Sequence, residues 1–168
     1  MTDDDADRPE AVTPIEGRKD FQREVLAALE ECAAAGVPQL WMADLDFDAW
    51  PLGQPAVVDA LSRWASSRRR LTLLAADYAL FPQRFPRWIA WRQQWSHVVQ
   101  CLVVQEEFVA QIPCLMFVPD RVAVRLFDRE RHRGRVQREP VDLLRCRELV
   151  DALSQRSEEG FPVTTLGL

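Results

Sequence analysis

The stretch LTLLAADYALFPQRFPRWIAWRQQWSHVVQCLVV, Leu71 to Val104, decides the fold. It opens with LTLLAA, a short unbroken apolar run of the kind that forms a strand buried on both faces. It closes with VVQCLVV, Val98 to Val104, a second run of the same kind. Between them, from Pro86 onward, the spacing predicts a helix: at 100° per residue, Trp88, Trp91 and Trp95 fall within about 60° of one another. Strand, helix, strand is the unit from which parallel sheets with crossover helices are built.

Working outward toward the N-terminus, the same alternation continues. Phe21, Val25, Leu29 and Cys32 recur at three- and four-residue spacing between Arg18 and Ala35, and Gly36 supplies a stop signal, so this segment reads as an amphipathic helix. QLWMADLDFD, Gln39 to Asp48, reads as an apolar strand that ends in strict alternation, with Asp44, Asp46 and Asp48 on one side and Leu45 and Phe47 on the other. Pro51, Gly53 and Pro55 then mark a loop, and Val57, Val58, Leu61 and Trp64 mark a second amphipathic helix.

Toward the C-terminus the pattern changes. Cys114 to Val118 and Val122 to Phe127 read as two short strands joined by a Pro119-Asp120-Arg121 turn. Arg121 to Arg138 holds seven arginines against Asp128 and Glu130, the most basic stretch of the chain. It can face phosphate or nucleic acid, but arginines also keep a sheet edge soluble, and the solvated edge is the favoured reading. Leu143, Cys146, Val150 and Leu153 predict a last helix, and FPVTTLGL, Phe161 to Leu168, a closing strand or packed tail.

Composition narrows the function classes. Met1 to Glu16 carries six acids against Arg8 alone, whereas the rest of the chain balances twenty acids with twenty basic residues. Residues 1 to 16 are therefore expected to be a disordered acidic tail, and 17 to 168 a single domain. A neutral body gives no global reason to expect nucleic acid as a partner. No run approaches the roughly 18 apolar residues of a membrane span, so a soluble, cytoplasmic chain is expected. Cys32, Cys101, Cys114 and Cys146 are too scattered for a structural zinc site and read as buried thiols. His97 and His132 have no nucleophile at a telling spacing, and both read as surface residues.

Two clusters carry chemistry. Arg84, Arg87 and Arg92 stand beside Trp88 and Trp91, and guanidinium on an indole face suits a planar or phosphate-bearing ligand; the competing reading makes the tryptophans a core seam. Asp44, Asp46 and Asp48 at a strand end can hold a divalent metal for phosphoryl transfer or hydrolysis. No glycine-rich loop accompanies them to seat phosphate, so capping and ion pairing with the arginines are the competing roles.

An apolar strand running into an aspartate turn and an adjacent strand, after a parallel start, resembles one half of the phospholipase D-like fold. That superfamily's H-x-K-x4-D signature supplies a histidine nucleophile, a phosphate-holding lysine and a supporting aspartate. Its spacing falls on Pro113, Leu115 and Asp120, where only the aspartate survives. Pro113 cannot attack phosphorus and Leu115 cannot neutralise it. The Phe85-Pro86-Arg87-Trp88 segment and the stretch from Leu143 to Leu168 also look like bacterial uncharacterised proteins with degenerate forms of this fold, so the resemblance spans roughly 18 to 168. It implies a three-layer α/β/α sandwich with a mixed sheet of five to seven strands, and a single-half member that pairs as a homodimer. The function expected is a non-catalytic module acting by binding or assembly, not an enzyme, with no cofactor. Any ligand is expected to be a small anion held by Arg84, Arg87, Trp88, Trp91, Arg92 and Asp120. The alternative is a metal-dependent phosphotransferase or hydrolase using Asp44, Asp46 and Asp48.

Overall fold

Each apolar stripe in the sequence has found a surface to bury against, and the result is one mixed sheet with helices on both faces. A computed structural model describes residues 12–163. In chain order the elements are β1 (Val12–Glu16), α1 (Arg18–Ala35), β2 (Gln39–Ala43), α2 (Pro55–Trp64), β3 (Arg70–Ala75), a one-turn α3 (Phe81–Arg84) and α4 (Pro86–Gln94). There follow β4 (Val99–Val104), a 3-10 helix (Glu106–Gln111), β5 (Cys114–Val118), β6 (Val122–Asp128), β7 (Arg133–Gln137), α5 (Pro140–Gln155) and β8 (Ser157–Glu159). The strands lie in the order β1-β7-β6-β5-β2-β3-β4-β8. Among the described residues only β2, β3 and β4 run parallel to one another, joined through α2 and through α3 and α4; all other pairings are antiparallel.

Side-chain alternation on the strands divides the core in two. Leu40, Met42, Leu71, Leu73, Val122, Val124 and Leu126 point to one face, where α1, α2 and α4 bring Phe21, Leu29, Leu61, Trp64 and Trp88. Ala43, Leu74, Leu102, Leu115 and Phe117 point to the other, where α5 brings Leu143, Cys146, Val150 and Leu153. α1 spans the residues its periodicity predicts and stops at Gly36, whose φ of 64° is the left-handed conformation a glycine takes without strain; its N–H bonds the Cys32 carbonyl. All four cysteines are buried free thiols. Burial pushes Cys32 up to about 12 and Cys101 up to about 11, which removes both from nucleophilic chemistry at neutral pH. Among the described residues no helix is long and apolar enough to cross a membrane.

Four expectations need correction. The sheet has eight strands rather than five to seven. Val12–Glu16 is not part of a disordered tail: it pairs with β7 and buries Ile15, while residues 1 to 11 lie outside the described residues. The basic hairpin is not at the sheet edge, because β1 covers β7. Of the two readings of FPVTTLGL, the strand gives way to Ser157–Glu159, while Phe161 packs, stacking on Tyr78 with ring centroids 5.0 Å apart; residues 164–168 lie outside the described residues.

Candidate functional site

The aspartate run is a loop rather than a strand end. β2 stops at Ala43, and Phe47 takes a φ of 64° that turns its ring into the core against Trp50 and Phe81. Asp44 folds inward as well. Its Oδ2 accepts a hydrogen bond from Trp50 Nε1 at 3.1 Å, and its Oδ1 accepts one from Arg129 Nε at 2.9 Å. Arg129 arrives from the β6–β7 turn and also donates to the Ile112 carbonyl at 2.7 Å, so this pair ties the hairpin to the C-terminal end of β2. Asp44 is 5 % exposed, and desolvation raises its carboxyl above the ordinary range despite the opposing attraction of Arg129.

The other two carboxylates line the same pocket as Asp44 and have partners of their own. Asp46 Oδ1 accepts the Asp48 N–H at 3.0 Å, closing a short Asx turn. Asp48 Oδ1 accepts from Arg84 Nη1 at 2.6 Å, and its carbonyl accepts from Arg84 and Arg18. Three period-two carboxylates on a strand would share one side; from this loop they still reach one pocket, with Arg129 and His132, but each carboxylate has a hydrogen-bond partner of its own. Among the described residues no group of three His, Cys, Asp or Glu side chains converges as metal ligands would. The metal-site alternative therefore does not match this geometry.

The tryptophan helix is a core seam. Trp88 and Trp91 are buried with ring centroids 6.2 Å apart, and Phe81 meets Trp88 edge-on at 5.2 Å. Trp95 lies just past the last helical residue and is half-buried. The three arginines expected to line one pocket part company: Arg84 pairs with Asp48, Arg87 is exposed, and Arg92 is buried beside a cavity under β3 and β4. Asp120 joins none of them. It sits in the β5–β6 turn with a φ of 62°, beside Arg138, Pro140 and Leu144.

Pro113 and Leu115 are buried at the start of β5, next to the C-terminal end of β2, whereas Asp120 follows the other end of that strand. The three signature positions therefore do not meet in a cleft. His97 is exposed, as expected, while His132 is half-buried at the rim of the Asp44 pocket with its carbonyl accepting the Gly17 N–H at 2.9 Å.

The hairpin of β6 and β7 carries what the sequence reading passed over. Of its seven arginines, Arg121 and Arg138 grip Glu31 on α1, and Arg129 holds Asp44. Arg125, Arg131, Arg133 and Arg135 make no ion pair with any described residue. Val122, Val124, Leu126 and Val136 face the α1 side, so Arg125 and Arg135, which are register partners, face the other. Phe127 stands there too, 54 % exposed, with the Arg125 and Arg135 guanidinium carbons 4.7 and 4.9 Å from its ring centroid. α5 packs on β4, β5, β6 and β8. Toward β7 and β1 the same face is open, and Val12, Arg133 and Arg135 are exposed at that end of the sheet. The signal was legible: period two from Val122 puts Ala123, Arg125 and Phe127 opposite the core residues.

No family model matches the chain, and no curated protein matches it. Among solved structures it is similar to TrmBL2, an archaeal chromatin protein whose structure shows a novel mode of DNA binding, with a TM-score of 0.63 at 15% sequence identity. The similarity covers 93% of this chain and 56% of that one, so the chain spans little more than half of the neighbour's length. At this identity the likeness is one of fold. It overturns the expectation that set nucleic acid aside as a partner: a neutral net charge says nothing of how the arginines are distributed, and a chain sharing this architecture belongs to a DNA-binding protein.

Proposed function

We propose that the protein is a non-catalytic binding module whose open sheet face takes a nucleic-acid strand, with Phe127 as the stacking surface and Arg125, Arg133 and Arg135 as the phosphate contacts. The observation that carries this reading is Phe127 itself, a large aromatic side chain left in solvent on a sheet face and flanked by two arginines that have no carboxylate partner among the described residues. Exposed aromatics beside guanidinium groups are the combination single strands require, because every base offers a π-face and every linkage a phosphate. A duplex, whose bases are already stacked, would use the arginines but not the ring. The DNA-binding neighbour of the same fold supports the reading without locating the surface.

Degenerate phospholipase D-like ancestry fits this reading. With proline and leucine at positions 113 and 115, both buried, the signature's nucleophile and phosphate-holding lysine have no counterpart at those positions. The test is a salt titration of binding to a labelled single strand. Three or four phosphate contacts give a log–log slope of roughly −2 to −3, and Arg133→Gln with Arg135→Gln flattens it by about 1.4. Binding with no salt dependence, or a slope the double variant leaves unchanged, refutes the proposal.

A further inference from the structure

The most unusual charge in the molecule is at the other end of the sheet. Arg92 lies in the last turn of α4, is 6 % exposed, and its side chain makes no hydrogen bond or ion pair with any described residue. Its Nε is buried without a partner, and its guanidinium carbon sits 4.8 Å from the Phe161 ring centroid. Ring stacking and the helix C-terminal dipole compensate this charge only in part, and no described carboxylate pairs with it.

Beside it is a cavity of about 500 Å³ where β3, β4 and β8 come together, lined by Arg70, Arg92, Ser96, Gln100, Glu159 and Gly160. Arg70 begins β3 and is exposed, so it adds positive charge at the mouth. Ser96 and Gln100 add neutral hydrogen-bonding groups. Glu159 is held by Gln100 Nε2 at 3.4 Å and forms no ion pair with Arg92, so it does not neutralise it. Its presence on the wall disfavours a ligand of high charge and favours one with a single anionic head.

We propose that this cavity is a binding site for a small oxyanion, a carboxylate or a phosphate group, with Arg92 as its buried counter-ion and Arg70 at its mouth. The site is independent of the Phe127 face: β3, β4 and β8 are separated from β6 and β7 by β5 and β2. Burial gives Arg92 its selectivity. A guanidinium shielded from water binds an anion more strongly than an exposed one, and its planar fork matches two oxygens of a carboxylate or phosphate.

The experiment is thermal unfolding of the whole chain at constant ionic strength, titrated separately with inorganic phosphate, benzoate and chloride. Phosphate or benzoate is expected to raise Tm in step with ln(1 + anion concentration/Kd), by roughly 3 to 6 °C at ten times Kd, and the one that does so identifies the head group. Arg92→Met should abolish that shift while unfolding, without ligand, at or above the wild-type Tm, because it removes an uncompensated charge. Arg70→Gln should weaken the apparent affinity several-fold with the ligand-free Tm unchanged, which tests the mouth of the site independently of Arg92. The proposal is overturned if neither anion raises Tm beyond the effect of chloride, if Arg92→Met retains the shift, or if Arg92→Met without ligand melts far below wild type. The last result would mean that the fold itself satisfies the guanidinium.

Discussion

Replacing Asp44 by asparagine should make the protein relatively more stable as pH rises. The carboxyl is raised above the ordinary aspartate value of 3.8, with desolvation the largest cause and the attraction of Arg129 opposing it. A folded-state value above the unfolded one means that the native state binds more protons in the interval between them. The stability from the protonated form is full below about 3.8 and is lost as pH climbs through the raised value. The asparagine side chain mimics the protonated form and does not titrate. The difference between wild type and Asp44→Asn should therefore drift in favour of the variant between acid and neutral pH, by about 1.4 kcal/mol for each unit of the shift.

Arg129→Leu supplies the complementary perturbation. Removing one member of a buried pair typically costs about 3–5 kcal/mol, and since Arg129 is 36% exposed about 2 kcal/mol is expected at neutral pH. That loss should shrink at acid pH, where Asp44 is protonated in both proteins, toward what the lost bond to the Ile112 carbonyl costs alone. Urea unfolding followed by tryptophan fluorescence across this pH range measures both. If Asp44→Asn instead loses ground to wild type as pH rises, attraction by Arg129 exceeds desolvation and the buried-acid description is wrong.

A Cβ on Gly134 would sit 1.8 Å from the Arg125 carbonyl oxygen, so Gly134→Ala must push β6 and β7 apart; a loss at or above the upper end of the roughly 1–3 kcal/mol typical of overpacking is expected in the same unfolding assay. Glu31 is held below its ordinary value by Arg138 and Arg121, which together outweigh the larger single effect of desolvation. Its contribution is present above the unfolded value of 4.5 and lost as pH falls, so Glu31→Gln should be destabilised at pH 7 and approach wild type near about pH 3, with unchanged destabilisation at acid pH counting against the pairing. Trp88→Ala, emptying a fully buried site, should cost about 3–5 kcal/mol, whereas exposed Arg87→Ala should stay within about 0.5 kcal/mol. Comparable losses from the two would contradict the core-seam assignment.

What the sequence disclosed follows from where the deciding interactions lie along the chain. α1 was legible because Phe21, Val25, Leu29 and Cys32 encode one face at helical spacing and Gly36 ends it locally. The run from Arg70 to Val104 was legible because strands buried on both faces must be apolar throughout. β1, β7 and β8 were not, because VTPIE, RGRVQ and SEE carry little apolar pattern and become strands only through partners distant in sequence. The same holds for Asp44: alternation from Asp44 to Asp48 reads as a strand until Trp50 and Arg129, one of them 85 residues away, draw its carboxylate into the interior. The arginine clusters misled in a related way. Sequence proximity grouped Arg84, Arg87 and Arg92, while the fold sends them to an ion pair, to solvent and to a buried cavity.

The binding face can be tested through Phe127, whose removal takes away none of its positive charges. Affinity for a labelled oligothymidylate, measured by fluorescence anisotropy at one low salt concentration, should fall roughly 5- to 150-fold in Phe127→Ala, the loss of one stacked base at about 1–3 kcal/mol. The variant should unfold at the wild-type midpoint, because the ring is more than half exposed and belongs to neither core. Wild-type protein that does not bind the strand, or a Phe127→Ala variant that binds it as tightly, would contradict the assignment of this face.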